Sequence, residues 1–126
     1  MFISVALTTC KDAGDDKNSV IQFTDIKTAN GVHNTDLIRN SGIFTCEHPG
    51  LYLISVYITT NTKHSIYYMY KNNNVIAYGV SSQTDYVQTT SVTVIAQLTV
   101  NDTISATGSL YVGSGYESCL TILQIQ

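Results

Sequence analysis

The chain has no tryptophan, a single proline, three cysteines and little charge, with Asp, Glu, Lys and Arg making up only 12% of 126 residues. Each scarcity excludes something. Six basic residues against nine acidic ones, a net charge of −3, leave no basic patch for phosphate, so nucleic acid is not an expected partner. No apolar run approaches the roughly 18–20 residues that a membrane-spanning helix needs, so no membrane insertion is expected. The apolar start Met1-Phe2-Ile3-Ser4-Val5-Ala6-Leu7 lacks the basic opening and small-residue cleavage site of a signal peptide and reads as a strand. Three cysteines are too few for a disulfide scaffold, and none sits in a Cys-x-x-Cys pair. His33, His48 and His64 show no ligand spacing with them.

No stretch carries a 3.6-residue apolar period, whereas β-branched residues and tyrosines recur in short runs. The pattern predicts strands at 2–9, 20–23, 42–46, 51–60, 65–71, 75–80, 89–98, 103–110 and 120–125. Turn residues separate them: Asn30-Gly31, Pro49-Gly50, Asn72-Asn73-Asn74, Asn101-Asp102 and Gly113-Ser114-Gly115. Many short strands without helices give an all-β sandwich or jelly roll, and 126 residues suit a single domain, 1–126. Residues 11–18 hold five of the fifteen charges and no large apolar side chain, and read as an exposed loop after the first strand.

One strand departs from the usual alternation of a sandwich. In 51–58, Tyr52, Ile54, Val56 and Ile58 share one face, yet Leu51, Leu53 and Tyr57 share the other. Segments 2–7 and 120–125 are two-sided in the same way, whereas 89–98 alternates cleanly except at Ile95. A sandwich of this size has one interior. The three two-faced strands are therefore expected in one sheet, with its outer side covered by another subunit.

The stretch Phe44-Thr45-Cys46-Glu47-His48-Pro49-Gly50-Leu51-Tyr52-Leu53-Ile54-Ser55-Val56 resembles the signature of the complement C1q globular-head family: Phe, five residues, Gly-x-Tyr, then alternating large residues. The likeness runs outward to Leu37, to the first strand, to the turns at Lys71-Asn72 and Asn101-Asp102-Thr103-Ile104, and to the closing Ser118-Cys119-Leu120-Thr121-Ile122-Leu123. Departures are Ile54 and Val56 in place of aromatics, Cys119 in place of Phe, and a seven-residue spacing of Phe23, Asn30 and Leu37 that is longer than usual in the family.

The resemblance implies a ten-stranded jelly roll of the tumour-necrosis-factor type, assembled as a homotrimer, and the second faces of the two-sided strands put Leu51, Leu53, Tyr57, Leu123 and Ile125 at the subunit contact. It implies that the strands ending at Cys10 and beginning at Cys119 are antiparallel neighbours, which makes these two cysteines the disulfide candidate and leaves Cys46 free in the core. The absence of a Gly-x-y repeat reads as a stalkless protein or an excised head.

Calcium is a possible ligand by analogy with family members, with Asp85 as the metal residue, although the better-aligned position is the uncharged Gln88. Ligand recognition is expected on loops, at Asn72, Asn73, Asn74, Asp85, Tyr86, Asn101, Asp102, Tyr116 and Glu117. Tyr with Asn and Asp suits carbohydrate, rings stacking on sugar faces and polar groups binding hydroxyls. The run Tyr67-Tyr68-Met69-Tyr70 is expected to be packing, split between two faces. Asn101-Asp102-Thr103 is an N-glycosylation sequon. No nucleophile elbow or paired carboxylates occur, so an enzyme is not expected. The expected function is a secreted, lectin-like pattern-recognition domain of innate immunity, binding microbial or glycan surfaces as a trimer. A secreted signalling ligand of the cerebellin or adiponectin type and a structural trimerisation domain are the alternatives.

Overall fold

A computed structural model of the chain describes residues 5–11, 14–62, 65–83, 86–112 and 117–126, with the backbone alone at 14–19 and 109–112. Ten strands and one short helix follow in order: β1 Ala6–Lys11, β2 Gly14–Val20, β3 Asp25–Asn30, α1 Thr35–Ser41, β4 Phe44–Thr45, β5 Gly50–Thr60, β6 Ile66–Lys71, β7 Asn74–Val80, β8 Gln88–Leu98, β9 Thr103–Val112 and β10 Ser118–Gln124. One antiparallel layer runs β3-β1-β10-β5-β8; the other is built on β9, with β6 and then β7 on one edge and β2 and β4 on the other. Among the described residues a single pairing, Thr60 with Val112, links the layers. This is the jelly roll expected from the alternation, and β1, β10 and β5, the two-sided strands, do lie side by side in one sheet.

The core between the layers follows from period-2 geometry. Tyr52, Ile54, Val56 and Ile58 of β5, with Leu120 and Ile122 beside them on β10, face Tyr67 and Met69 of β6 and Ile104 of β9, all essentially without solvent contact. Burying each such side chain contributes about 1.5–3 kcal/mol. Polar ends are satisfied inside: the Tyr52 hydroxyl donates to the His48 carbonyl at 2.5 Å, and Tyr67 donates to Thr90 at 3.2 Å. Burial pushes both phenols above their usual range. Tyr67 has room for its ring because β7 offers Gly79 beneath it, where a Cβ would fall 2.4 Å from the ring.

Four expectations are corrected, and one strand is added to them. The chain is not free of helices: α1 is capped by the Asn34 side chain, which accepts from the Leu37 amide, and ends at Gly42, whose N–H bonds the Ile38 carbonyl at 2.8 Å. Seven residues with one core contact, Ile38, are too few to print a helical period. The helix displaces the start of the strand expected at 42–46, of which only Phe44–Thr45 forms.

Residues 11–18 are not simply a loop, because Gly14–Val20 pairs with β9 through backbone hydrogen bonds that need no apolar side chains. The segment expected as a strand at 20–23 keeps only Val20 in β2 and a last bond to β9, from the Ile21 N–H to the Ala106 carbonyl at 2.7 Å, while Ile21 and Phe23 plug the core. The next strand, β3, was missed. It is an edge strand, exposed and charged, as edges that resist further pairing are.

Cys10 and Cys119 are paired in register on β1 and β10 and joined by a disulfide, their Cα atoms 4.1 Å apart. Cys46 is buried and unbridged, its thiol donating to the His48 carbonyl at 3.3 Å, and burial raises its pKa.

Candidate functional site

The outer side of the β3-β1-β10-β5-β8 sheet is layered along the strand direction. At one end Leu51, Leu53, Ile95, Leu123 and Ile125 stand together, half-buried or, at Ile95, 55% exposed. One step along each strand lie four hydroxyls: Thr8 meets Thr121 at 3.4 Å, and Ser55 meets Thr93 at 3.0 Å. A step further sit the Cys10–Cys119 bridge and Tyr57, whose hydroxyl lies 3.1 Å from the Cys119 sulfur. The five residues assigned from sequence to a subunit contact thus share one face, with Ile95 added by its pairing opposite Leu53. The out-of-pattern Ile95 in 89–98 was the signal for it.

The loop residues do not converge. Asn72, Asn73, Asn74, Asn101 and Asp102 lie at the end of the sandwich that holds the β6–β7 and β8–β9 turns; Tyr86 and Glu117 lie at the opposite end. Asp85 and Tyr116, and with Asp85 the calcium position, lie outside the described residues. Among the described residues no group of three His, Cys, Asp or Glu is arranged to hold a metal ion. Gln88, the aligned position, braces its own loop by accepting from the Ser82 amide at 2.8 Å and the Ser82 hydroxyl at 2.9 Å.

The first cluster has a clear internal logic. Asn72 and Asn101 adopt positive φ, 55° and 76°, as asparagine tolerates in tight turns. The Asn72 amide donates to Asp102 at 3.0 Å, while its carbonyl accepts from the Thr103 amide at 2.9 Å. The other Asp102 oxygen accepts from the Thr99 amide at 2.8 Å and the Thr99 hydroxyl at 3.1 Å. Two turns from different hairpins are locked together, and Asn73, Asn74 and Asn101 are left on the surface. At the other end Glu117 pairs with Lys27 at 3.2 Å, and Lys27 also pairs with Asp25 at 2.8 Å. The Asp25 carboxylate first, then Glu117, raises the Lys27 pKa. Tyr86 is 83% exposed.

The Asn72 amide, followed by the Thr99 backbone N–H, holds the Asp102 carboxyl below the usual carboxylate range. A depressed folded pKa means that the clamp's contribution is complete above the unfolded value, about 3.9, and is lost as pH falls through the folded value. The urea midpoint of the native sequence is therefore expected to fall more steeply between pH 5 and pH 2 than that of Asp102→Asn. Parallel pH profiles for the two proteins would refute the clamp.

The sequence from residue 3 to residue 112 matches the model of the C1q domain. No curated protein matches the chain in sequence. In three dimensions it is similar to the globular domain of zebrafish complement 1qA protein, with a TM-score of 0.76 at 12% identity, covering 97% of this chain and 98% of that one. Murine APRIL is similar with a TM-score of 0.69 at 10% identity, over 96% and 98% of the two chains. The Eiger TNF structure from S. frugiperda gives 0.63 at 10% identity, over 97% and 92%. At such identities these likenesses speak for the fold, and the match over most of the sequence speaks for descent: the chain belongs to the C1q-domain family.

Proposed function

We propose that the chain is a secreted recognition domain that assembles as a homotrimer and presents three equal binding surfaces to repetitive microbial or glycan targets. The observation that carries this reading is the apolar band Leu51, Leu53, Ile95, Leu123 and Ile125 on the outer side of a sheet whose inner side already fills the core. A lone domain gains nothing by holding five large aliphatic side chains together against water, whereas a neighbouring copy would dry them. Trimerisation turns three weak sites into one useful binder through effective concentration. The Cys10–Cys119 disulfide supports an oxidising, extracellular setting, and no helix among the described residues is long and apolar enough to cross a membrane.

Catalysis is not part of this reading. The C1q and tumour-necrosis-factor families supply ligand-binding or structural domains. Likeness to APRIL and to a TNF favours, as a second reading, a signalling ligand acting through a protein receptor. A glycan and bacterial-polysaccharide array separates the two, since only the first predicts bound sugars.

Sedimentation tests the assembly. Three copies of a 13.8 kDa chain are expected at about 41 kDa, and Leu53→Glu with Leu123→Glu is expected to give folded monomer, because paired carboxylates in a desolvated seam cost several kcal/mol. A native chain that sediments as monomer at tens of micromolar would end the proposal.

A further inference from the structure

The opposite side of the molecule carries a second feature. On the β6–β7 hairpin the odd and even positions part: Tyr67 and Met69 go to the core, while Tyr68, Tyr70 and Tyr78 face outward with Ile66 and Val80 beside them. Packing therefore accounts for half of the run Tyr67-Tyr68-Met69-Tyr70 and leaves the other half unexplained. Tyr68 is the centre of the outward group, its ring 6.5 Å from that of Tyr70 and 6.5 Å from that of Tyr78, the planes inclined at 60° and 45°. Tyr78 is 63% exposed. Among the described residues no hydrogen bond engages the three hydroxyls.

We infer that this tyrosine face is a binding platform for a neutral oligosaccharide, an inference that rests on the carbohydrate reading above and moves its site from the loops to the sheet. Three observations select that ligand. No charged side chain projects from the outward positions of β6, β7 or residues 103–107 of β9, so anionic sugars find no partner there; Lys71, the charge next along β6, turns its amine to the Gln97 carbonyl at 2.9 Å. The surface supplies flat rings for the apolar faces of pyranoses, with free phenol hydroxyls and the neighbouring Thr107 to meet their hydroxyls. Its extent is a handful of side chains, well short of the roughly 20–30 residues a side that a protein partner covers. The platform also lies back to back with the sheet face assigned to the trimer contact, so assembly would leave three copies facing outward.

Calorimetric titration with mannopentaose, laminarihexaose and chitopentaose tests the platform. At least one is expected to bind, with quenching of the intrinsic fluorescence, which comes from nine tyrosines and no tryptophan. Tyr68→Thr with Tyr78→Thr, which keeps β-branched residues in the strands, is expected to weaken that binding about tenfold or more. Tyr68→Phe with Tyr78→Phe keeps the stacking faces and is expected to stay within about threefold. Should the double threonine variant misfold, shifts of the Tyr68 and Tyr78 ring resonances in the native protein on adding the same sugar carry the test. Sugar binding that leaves these rings undisturbed, or that Tyr86→Ala or Asn73→Ala abolishes while the threonine variant retains it, overturns the platform and leaves the carbohydrate reading standing. Binding of charged glycans alone does the same. An array without any bound sugar ends both.

Discussion

Opening the Cys10–Cys119 bridge is expected to lower the unfolding free energy by about 4–5 kcal/mol. The two cysteines are 109 residues apart, so the bridge ties most of the chain into one loop. A loop of about 100 residues removes enough conformational freedom from the unfolded chain to be worth about 4.7 kcal/mol, a large share of a small domain's stability. The native side has little compensating loss, because β1 and β10 remain paired along their length. Urea unfolding with and without reductant, repeated on Cys10→Ala with Cys119→Ala, measures the difference. The midpoint should drop and the slope steepen, since the unbridged chain exposes more surface when unfolded. Alkylation gives the matching covalent result: no reactive thiol in the native state, one in denaturant, and three once reductant is added. A midpoint indifferent to reductant would show that the bridge does not hold the fold.

Gly42→Ala is expected to cost about 3 kcal/mol, far beyond an ordinary glycine substitution in a loop. Gly42 closes α1 with φ +75°, a conformation that penalises any L side chain by roughly 1–2 kcal/mol. The added Cβ would also lie 2.8 Å from the Phe23 nitrogen, 2.9 Å from the Gln22 Cα and 2.9 Å from the Ile21 oxygen. All three are backbone atoms, so no side-chain rotation relieves the contact. The segment between β2 and β3 that would have to yield carries Ile21 and Phe23, both fully buried. Overpacking of that kind adds about 1–3 kcal/mol. Asn101→Ala is the control, since Asn101 shares the positive φ, 76°, on an exposed turn. It is expected to cost only about 1 kcal/mol. Equal losses at the two positions would mean that φ alone, and not the close approach to Ile21–Phe23, governs Gly42.

How much of this was legible in the sequence depends on what each element is made of. β5, β10 and β8 announce themselves because burial on a pleated surface forces a two-residue period, and the second apolar set on β5 and β10 shows as a departure from that period. β2 and β3 are invisible by the same logic. Their place is an edge, where backbone hydrogen bonds do the work and charged side chains are an advantage. The short helix hid because one buried residue, Ile38, makes no period, although Asn34 and Gly42 bracket it with recognisable caps.

The candidate site was less legible still. Asn72 and Asp102 read as ligand-seeking residues, yet they are also what two locked turns require, and sequence does not distinguish an amide that faces a sugar from one that faces a neighbouring carboxylate. The outward tyrosines were in view from the start as Tyr67-Tyr68-Met69-Tyr70. Only the pairing of Tyr68 with Tyr78 across the hairpin shows that the exposed half converges.

The layered outer side of the β5 sheet bears on orientation as much as on attraction. An evenly greasy face would grip a partner in many positions, since sliding by two residues would exchange one leucine for another. Here such a slide would set the aliphatic cluster of Leu51, Leu53 and Ile95 against the hydroxyls of Ser55, Thr93 and Thr121, stranding donors and acceptors without water. Alignment along the strand axis is therefore written into the face itself: in the proposed trimer, a neighbouring copy would have one setting in which both kinds of surface are matched.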